Sequence, residues 1–432
     1  MDDHVDATRK LLHIGSADVR FVVIHGSGGV GKTTLAKVIF NQLCDSRDSF
    51  HHCCFLGNVR ETAKRNGLVH LQNMLLREFN PRMREISDID SGIKTIKDSV
   101  MNKKVLIILD DLDEHEQIEN LAGDPTWFGL GSRIIVTTRN RSCILGRPGV
   151  LVYCMSVMSF GHALQLFSKH AFKMDSPPIE CLQISKEVVA ACGRLPLALE
   201  VMGSYLHHVD KDQWKSKIDV IASHNDVQKK LMISFEALDP RTKEIFLDIV
   251  CFFVDRETMN AKYMWEACDF QPEEGVERLK SMSLIKISEK STFWMHDLIR
   301  DLGREIIIQE NLKCPERRSR LWSTKQVKHV LLKEKSLRFL ELHRVQLTGD
   351  FEYALQDLKW FSWSSHRSAT REEEYLEVTN LVLQDIVVLN LSISNITDDW
   401  FWGPNKIKIC YEFYKPGSRL GKSKPNALPK LI

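Results

Sequence analysis

The first third of this 432-residue chain is predicted to be an α/β domain built on a parallel sheet, and three observations predict it. Phe21-Val22-Val23-Ile24, Val105-Leu106-Ile107-Ile108-Leu109 and Arg133-Ile134-Ile135-Val136 are unbroken apolar runs of strand length. Runs without alternation suit central strands covered on both faces. Between them apolar residues recur at helical spacing, as at Leu35, Ile39 and Leu43, and a β-α order favours parallel pairing. Finally, Gly26-Ser27-Gly28-Gly29-Val30-Gly31-Lys32-Thr33 follows the first run and opens a helical pattern. It matches the phosphate-binding pattern G-x-x-x-x-G-K-S/T in the strand-to-helix context that pattern requires.

This domain is read as residues 1–155. From 156 to 230 no strand run appears; Ala163, Leu164, Phe167 and Ala171, then Ile184, Val188 and Ala191, keep helical spacing, so a helical subdomain is expected. Residues 231–325 read as helices (Lys243 to Phe253, Val276 to Met282, Leu298 to Ile308) with a late hairpin, Leu284-Ile285-Lys286-Ile287 and Thr292-Phe293-Trp294-Met295 around the turn Ser288 to Ser291. That order suggests a small winged-helix domain. From 326 to 402, Leu337-x-x-Leu340-x-Leu342-x-x-Val345-x-Leu347 echoes a leucine-rich repeat, and Leu355-x-x-Leu358-x-Trp360 and the run from Ile386 to Leu391 echo it less well. Residues 403–432 form a basic tail, Lys406, Lys408, Lys415, Arg419, Lys422, Lys424 and Lys430 against Glu412 alone, expected to be solvated.

Composition bounds the function classes. There are 59 Lys+Arg and 57 Asp+Glu, a formal charge of +2, which supplies no overall field for nucleic acid or an anionic membrane. Met1-Asp2-Asp3-His4-Val5-Asp6 is not the start of a signal peptide, and the apolar runs are far shorter than the ~20 residues of a membrane span. A cytoplasmic or nuclear location is therefore expected, with no membrane partner. The eleven cysteines are odd in number and hold no Cys-x-x-Cys pair, so neither a disulfide framework nor a zinc ribbon is read. His51-His52-Cys53-Cys54 could not all ligate one metal from a strand, where neighbours point to opposite faces.

The phosphate loop carries the chemistry. Its glycines let successive backbone N–H groups turn inward, and the helix N-terminus adds unsatisfied donors and a positive dipole end. Lys32 supplies a charge at the β/γ-phosphates and the Thr33 hydroxyl can ligate Mg²⁺; Thr34 follows it into the helix. The second apolar run ends in Asp110-Asp111 at the carboxyl end of the sheet. Asp110 can hold Mg²⁺, through water, and Asp111 can orient or deprotonate an attacking water; alone, such a pair is equally a strand-end turn. Arg139, after Thr137-Thr138, would emerge at the same edge, either to sense a γ-phosphate or to form a surface ion pair.

On these residues the chain resembles the nucleotide-binding (NB-ARC) core of plant intracellular immune receptors, among the signal-transducing ATPases. The phosphate loop, Leu109-Asp110-Asp111, Thr137-Thr138-Arg139, Gly193-Arg194-Leu195-Pro196-Leu197-Ala198-Leu199 and Met295-His296-Asp297 follow the family order. Phe55 to Glu61, Asp113 and Phe246 to Phe253 look like the subclass normally preceded by a TIR domain. The expected architecture is thus a P-loop NTPase parallel sheet, a helical subdomain, a winged-helix domain and a short irregular leucine-rich repeat remnant. The resemblance implies further roles. Pro196 would pack on the adenine ring, although it also suits a helix start. His296 would reach the β-phosphate of ADP, although a His before Asp is also a helix-start residue with Asp297 as cap. Backbone near Val19 and Arg20 would hold the adenine edge.

The implied ligands are ADP or ATP with Mg²⁺. ADP would hold a resting form and ATP an active one, in plant innate immune defence, with at most a slow ATPase as reset. Other immune receptors or pathogen-derived effectors would be the partners, and self-association would belong to the ATP form. Val23 stands where the family usually has glycine and Ser27 where methionine is common, and neither removes a phosphate donor. Residues 1–15 are too few for a TIR domain, so no NAD-cleaving activity is expected of this chain. Two rival readings stand: an ATP-gated DNA-binding winged helix, disfavoured by the acidic start Glu273-Glu274, and a turnover ATPase, disfavoured by a single P-loop core. A truncated, non-signalling adaptor or relic also fits.

Overall fold

The three apolar runs are strands, and two more join them in one parallel sheet. In a computed structural model the described residues are 1–44, 50–144, 149–224, 226–314, 318–320 and 322, with short segments between 339 and 411. Leu337, Val345, Leu355 and every basic residue after Trp402 lie outside the described residues. Two compact units divide the chain, Met1–Glu200 and Val201–Ile432.

In the first unit α1 (Asp2–Leu12) precedes β1 (Arg20–His25) and α2 (Lys32–Cys44). Then come β2 (His52–Leu56), α3 (Val59–Asn66), α4 (Leu68–Phe79), α5 (Ile89–Val100), β3 (Val105–Leu112), α6 (His115–Ala122), β4 (Arg133–Thr138) and β5 (Val150–Cys154). The sheet order is β2-β3-β4-β1-β5, all parallel, so β1 sits between two strands that follow it in sequence. Every residue of β3 and β4 is buried, as unalternated runs require when helices cover both faces. Leu35, Ala36, Ile39 and Leu43 give α2 its buried stripe. The unit ends with α7 (Phe160–Ala171), α8 (Leu182–Ala191) and the start of α9 (Pro196–His207).

Arg133 is the largest departure from expectation in this unit. It opens a central strand yet is fully buried. Its guanidinium donates to the carbonyls of Leu12 (2.5 Å), Asp18 (2.6 Å), His13 (2.7 Å), Ser132 (2.8 Å) and Ser16 (2.9 Å). A buried cation is tolerable only when its donors are satisfied, and here the end of α1 and the α1–β1 loop supply four of the five acceptors. His13 takes a left-handed φ of 41° to close α1 beside it.

The second unit is mainly helical: α10 (Trp214–Ser223), α11 (Val227–Glu236), α12 (Pro240–Asp248), α13 (Thr258–Ala267), α14 (Pro272–Ser281) and α15 (Asp297–Glu310). The short antiparallel hairpin β6 (Lys286–Ile287) and β7 (Phe293–Trp294) lies before α15, where it was expected. The predicted helix through Phe253 widens into a π-turn over Ile249–Phe253, closed by the Val254 N–H on the Ile249 carbonyl at 3.2 Å. All five residues of that turn are buried, and the wider turn lets a fully apolar run be covered all round. Helix α13 was not foreseen; Ala261, Met264 and Trp265 give it a buried face.

Parallel strands follow in the repeat region: β8 (Phe339–His343), β9 (Leu347–Asp350), β10 (Trp360–Ser364), β11 (Leu376–Thr379), β12 (Val382–Leu383), β13 (Val388–Ser392), β14 (Phe401–Trp402) and β15 (Ile409–Tyr411). One sheet has the order β15-β13-β10-β8, with smaller pairs β11-β9 and β12-β14. Pairing each strand with its counterpart in the next repeat is how a solenoid buries a face that one repeat cannot. Ile409–Tyr411, placed in the basic tail by the sequence reading, instead pairs in parallel with Val388–Asn390.

Candidate nucleotide-binding site

The loop between β1 and α2 turns on two glycines in the left-handed region, Gly29 at φ 74° and Gly31 at φ 108°. A side chain at either would be strained, which is why the pattern needs glycine there. Val30 between them is buried, and Gly26 and Gly28 are half-buried. The Lys32 ammonium, itself buried, donates to the Gly26 and Ser27 carbonyls at 2.8 Å each, so it lies across the loop it belongs to.

One helix residue further, Thr33 Oγ1 donates to Asp110 Oδ1 at 2.9 Å and Oδ2 at 3.1 Å. Thr137 Oγ1 donates to Asp110 Oδ1 at 2.6 Å and accepts the Asp111 N–H at 2.9 Å. The structure thus brings Thr33 and Asp110 together and adds Thr137, to which sequence reasoning gave no role. Thr34 is exposed, about 100° round α2 from Thr33, and is not brought to this cluster.

Adjacent strand residues point to opposite faces, yet Asp110 and Asp111 both serve the carboxyl edge. The backbone explains it. The β3–β4 register shifts between Leu109 and Leu112, and Asp111 takes φ 59°. A bulge of this kind re-aims a side chain beside a site. Asp111 Oδ2 accepts from Arg60 Nε at 2.8 Å and Oδ1 lies 3.4 Å from Arg139 Nε. Arg139 thus reaches the edge as expected and forms an ion pair there with Asp111.

The two carboxyls are pushed in opposite directions. Burial drives Asp110 above the usual carboxylate range, against the hydrogen bonds from Thr137 and Thr33. Burial acts the same way on Asp111, but Arg60, Arg139 and Lys32 outweigh it and hold that carboxyl below its ordinary value. An acid stabilised as its anion is a weak base. Asp111 in this arrangement is suited to orienting a water more than to deprotonating one.

Pro196 opens α9, and the Leu197 N–H approaches the Gly29 carbonyl at 3.4 Å, which sets the helix start beside the phosphate loop. Met155 also lies against the loop: its N–H donates to His25 O at 2.8 Å and its carbonyl oxygen would stand 3.2 Å from a Cβ at Gly26.

Val19 and Arg20 require a correction. Arg20 pairs with Arg133 at the first residue of β4, five rises of about 3.3 Å from His25, at the opposite edge of the sheet from the phosphate loop. Val19 packs on the core, and the Arg20 side chain holds Asp18 and the Leu11 carbonyl. Neither is placed to touch a base beside Gly26. Met1 is nearer, its Cε 4.0 Å from a Cβ at Gly31.

His296 belongs to the second unit and is itself the N-cap of α15, correcting the assignment of that role to Asp297. Its Nδ1 accepts the Leu298 N–H at 3.1 Å, and Asp297 pairs with Arg300 at 2.7 Å. An accepting Nδ1 leaves the ring proton on Nε2.

The donor set fits a phosphate–Mg²⁺ group: a glycine-rich loop with its lysine lying across it, and beside it a hydroxyl in contact with a carboxylate. Comparison with known proteins agrees. Residues 1–177 match the NB-ARC domain family, and residues 239–311 match the Disease resistance protein Roq1-like winged-helix domain. TMV resistance protein N of Nicotiana glutinosa is 39% identical over 337 residues, 77% of this chain and 29% of that protein. Disease resistance protein RPV1 of Vitis rotundifolia is 34% identical over 412 residues, 91% of this chain and 29% of that one. This chain therefore spans under a third of the length of these relatives. A solved Signal Transduction ATPase with Numerous Domains protein from Pyrococcus horikoshii aligns over 70% of this chain and 42% of its own, at TM-score 0.44 and 17% identity. With both domain families matched and relatives of this kind along most of its length, the chain belongs to the plant disease-resistance NB-ARC proteins.

Proposed function

We propose that this chain is a nucleotide-controlled molecular switch of plant innate immune signalling, resting with ADP and active with ATP. The observation that carries the reading is the chain of contacts Thr33–Asp110–Thr137–Asp111, which ties the phosphate loop to the carboxyl ends of β3 and β4. A diphosphate engages the loop, Lys32 and Thr33. A triphosphate adds charge at the edge where Arg139 sits, so the two ligands have different partners there. Ligands shift an equilibrium only through such differential affinity. A swing from 1:99 to 99:1 requires about 5.5 kcal/mol, within reach of one extra phosphate meeting a guanidinium. Pro196 is proposed at the adenine ring and His296, with its proton on Nε2, as a hydrogen-bond donor to the β-phosphate. Asp110 and Asp111 serve a slow hydrolysis that resets the switch, Asp110 through Mg²⁺ and Asp111 through a water. Effectors or other immune receptors are the partners in this reading.

The test is the nucleotide released when purified protein is denatured. Close to one ADP per chain is expected, and Lys32→Ala should release almost none. An empty wild-type site that takes up neither ADP nor ATP would end the proposal. Small-angle scattering profiles that coincide with ADP, with ATP and without nucleotide would leave a binding protein but no switch.

A further inference from the structure

Arg60 is quoted in no phosphate-loop or metal motif, yet it makes the shorter of the two ion pairs on Asp111. It lies in the first turn of α3, with Nε 2.8 Å from Asp111 Oδ2, and the side chains are 14% and 9% exposed. Four residues on, on the same helix face, Lys64 lies 2.7 Å from Asp113 Oδ2. Asp113 in turn receives the Gln117 side-chain amide at 2.8 Å. Helix α3 is therefore fastened to the end of β3 at two successive points, and Arg60 is the inner one.

Asp111 is thus shared. Arg139 holds its other oxygen at 3.4 Å, the longer contact, from a side chain that is 27% exposed. Removing one partner of a buried ion pair is costly because the remaining charge is uncompensated. With Arg139 the one guanidinium on Asp111, any move of that arginine toward another anion would leave a buried carboxylate without an ion-pair partner in contact. With Arg60 present, it would not.

We infer that Arg60 is a positioning residue for triphosphate recognition: it keeps Asp111 neutralised, so that Arg139 can be transferred from this carboxylate to a γ-phosphate. The inference rests on the proposed function, in which Arg139 distinguishes ATP from ADP. It assigns the capacity to make that distinction partly to an arginine on a different helix, one that need not touch the nucleotide. Two guanidiniums meet Asp111 here; with Arg139 drawn to a γ-phosphate, Arg60 would keep its place on the carboxylate.

The experiment is equilibrium binding of Mg·ATP and Mg·ADP to the whole chain, by isothermal calorimetry with a non-hydrolysable ATP analogue as control. Arg60→Gln should weaken ATP binding about tenfold or more and leave ADP within about twofold, because Lys32 and Thr33 are untouched. Arg60→Lys, which keeps the charge, should recover most of the loss. Combining Arg60→Gln with Asp111→Asn should restore ATP binding, since no carboxylate is left to strand, and a merely structural role for Arg60 predicts no such rescue. Equal losses of ATP and ADP, or no rescue in the double variant, overturn the inference alone. A wild-type chain that binds neither nucleotide overturns the proposed function and this inference with it.

Discussion

Thr33 Oγ1 donates to both oxygens of Asp110, joining the first turn of α2 to the end of β3 across the mouth of the phosphate loop. The hydroxyl proton is committed to the carboxylate, while the oxygen keeps lone pairs for a cation. Thr33→Val keeps the shape and removes both functions. Magnesium should raise nucleotide affinity in the wild type and have little effect in the variant. A magnesium effect of about tenfold surviving in Thr33→Val would remove this residue from the metal site.

Asp110→Asn should stabilise the protein in the absence of nucleotide. A carboxyl raised by burial is costly as an anion, and that cost is in force above its folded-state value. Asparagine can still accept from Thr33 and Thr137 without carrying charge. A melting temperature about 2–4 °C higher at neutral pH is expected, for roughly 1 kcal/mol. The gap should close as pH falls through the raised range and Asp110 itself becomes neutral. A variant that melts lower at neutral pH contradicts the assignment.

For Asp111 the sign reverses. Burial raises it, but Arg60, Arg139 and Lys32 bring it below its ordinary value, so its pairing stabilises the fold above the unfolded carboxylate range. That stability is lost as pH falls through the depressed folded value. Denaturant titrations of wild type and Asp111→Asn should therefore diverge at neutral pH and converge in acid. Parallel curves would show that the two arginines contribute nothing net.

In the second unit Arg320 Nε donates to Asp248 Oδ1 at 2.6 Å, and its terminal nitrogen lies 2.8 Å from Glu244 Oε2. Trp265 Nε1 holds the other Asp248 oxygen at 2.9 Å. Arg320→Met leaves a buried carboxylate with a single neutral donor and should cost about 3–5 kcal/mol in urea denaturation. Arg320→Met with Asp248→Asn should recover part of it. A single variant within about 0.5 kcal/mol of wild type would show that the cluster is not a stabilising tie.

Thiol chemistry offers an independent check on packing. Burial pushes the Cys54 and Cys251 thiols up to about 12, whereas Cys154 is exposed. The thiolate is the reactive form. Iodoacetamide at pH 8 should alkylate Cys154 in the native protein and reach Cys54 and Cys251 only after denaturation, read by peptide mass spectrometry. Early labelling of Cys54 would place β2 outside the sheet.

What the sequence reveals here follows from how local each signal is. The runs at Phe21, Val105 and Arg133 are strands because continuous burial leaves a continuous apolar pattern. The phosphate loop is legible because two of its glycines sit at φ values that few other residues adopt. The bulge at Asp111 leaves no such mark, since aspartate enters the left-handed region without an obligatory neighbour. Arg60 and Arg133 are equally silent. One partner of Arg60 lies 51 residues away, and Arg133 is satisfied by backbone carbonyls, which have no letter of their own. The adenine-edge role that the resemblance implied for Val19 and Arg20 fails because they stand at the start of β1, and the phosphate loop follows its end. A strand carries its two ends to opposite edges.

The buried Arg133 has a mechanical meaning. Strand β4 is hydrogen-bonded on both sides, to β3 and to β1, and is therefore one of the stiffest parts of the first unit. One of its ends grips the turn that closes α1; the other presents Thr137, Thr138 and, just beyond, Arg139. A displacement of α1 would be delivered, through four carbonyls and one guanidinium, to the residues that would face a nucleotide's terminal phosphate, without the phosphate loop having to move.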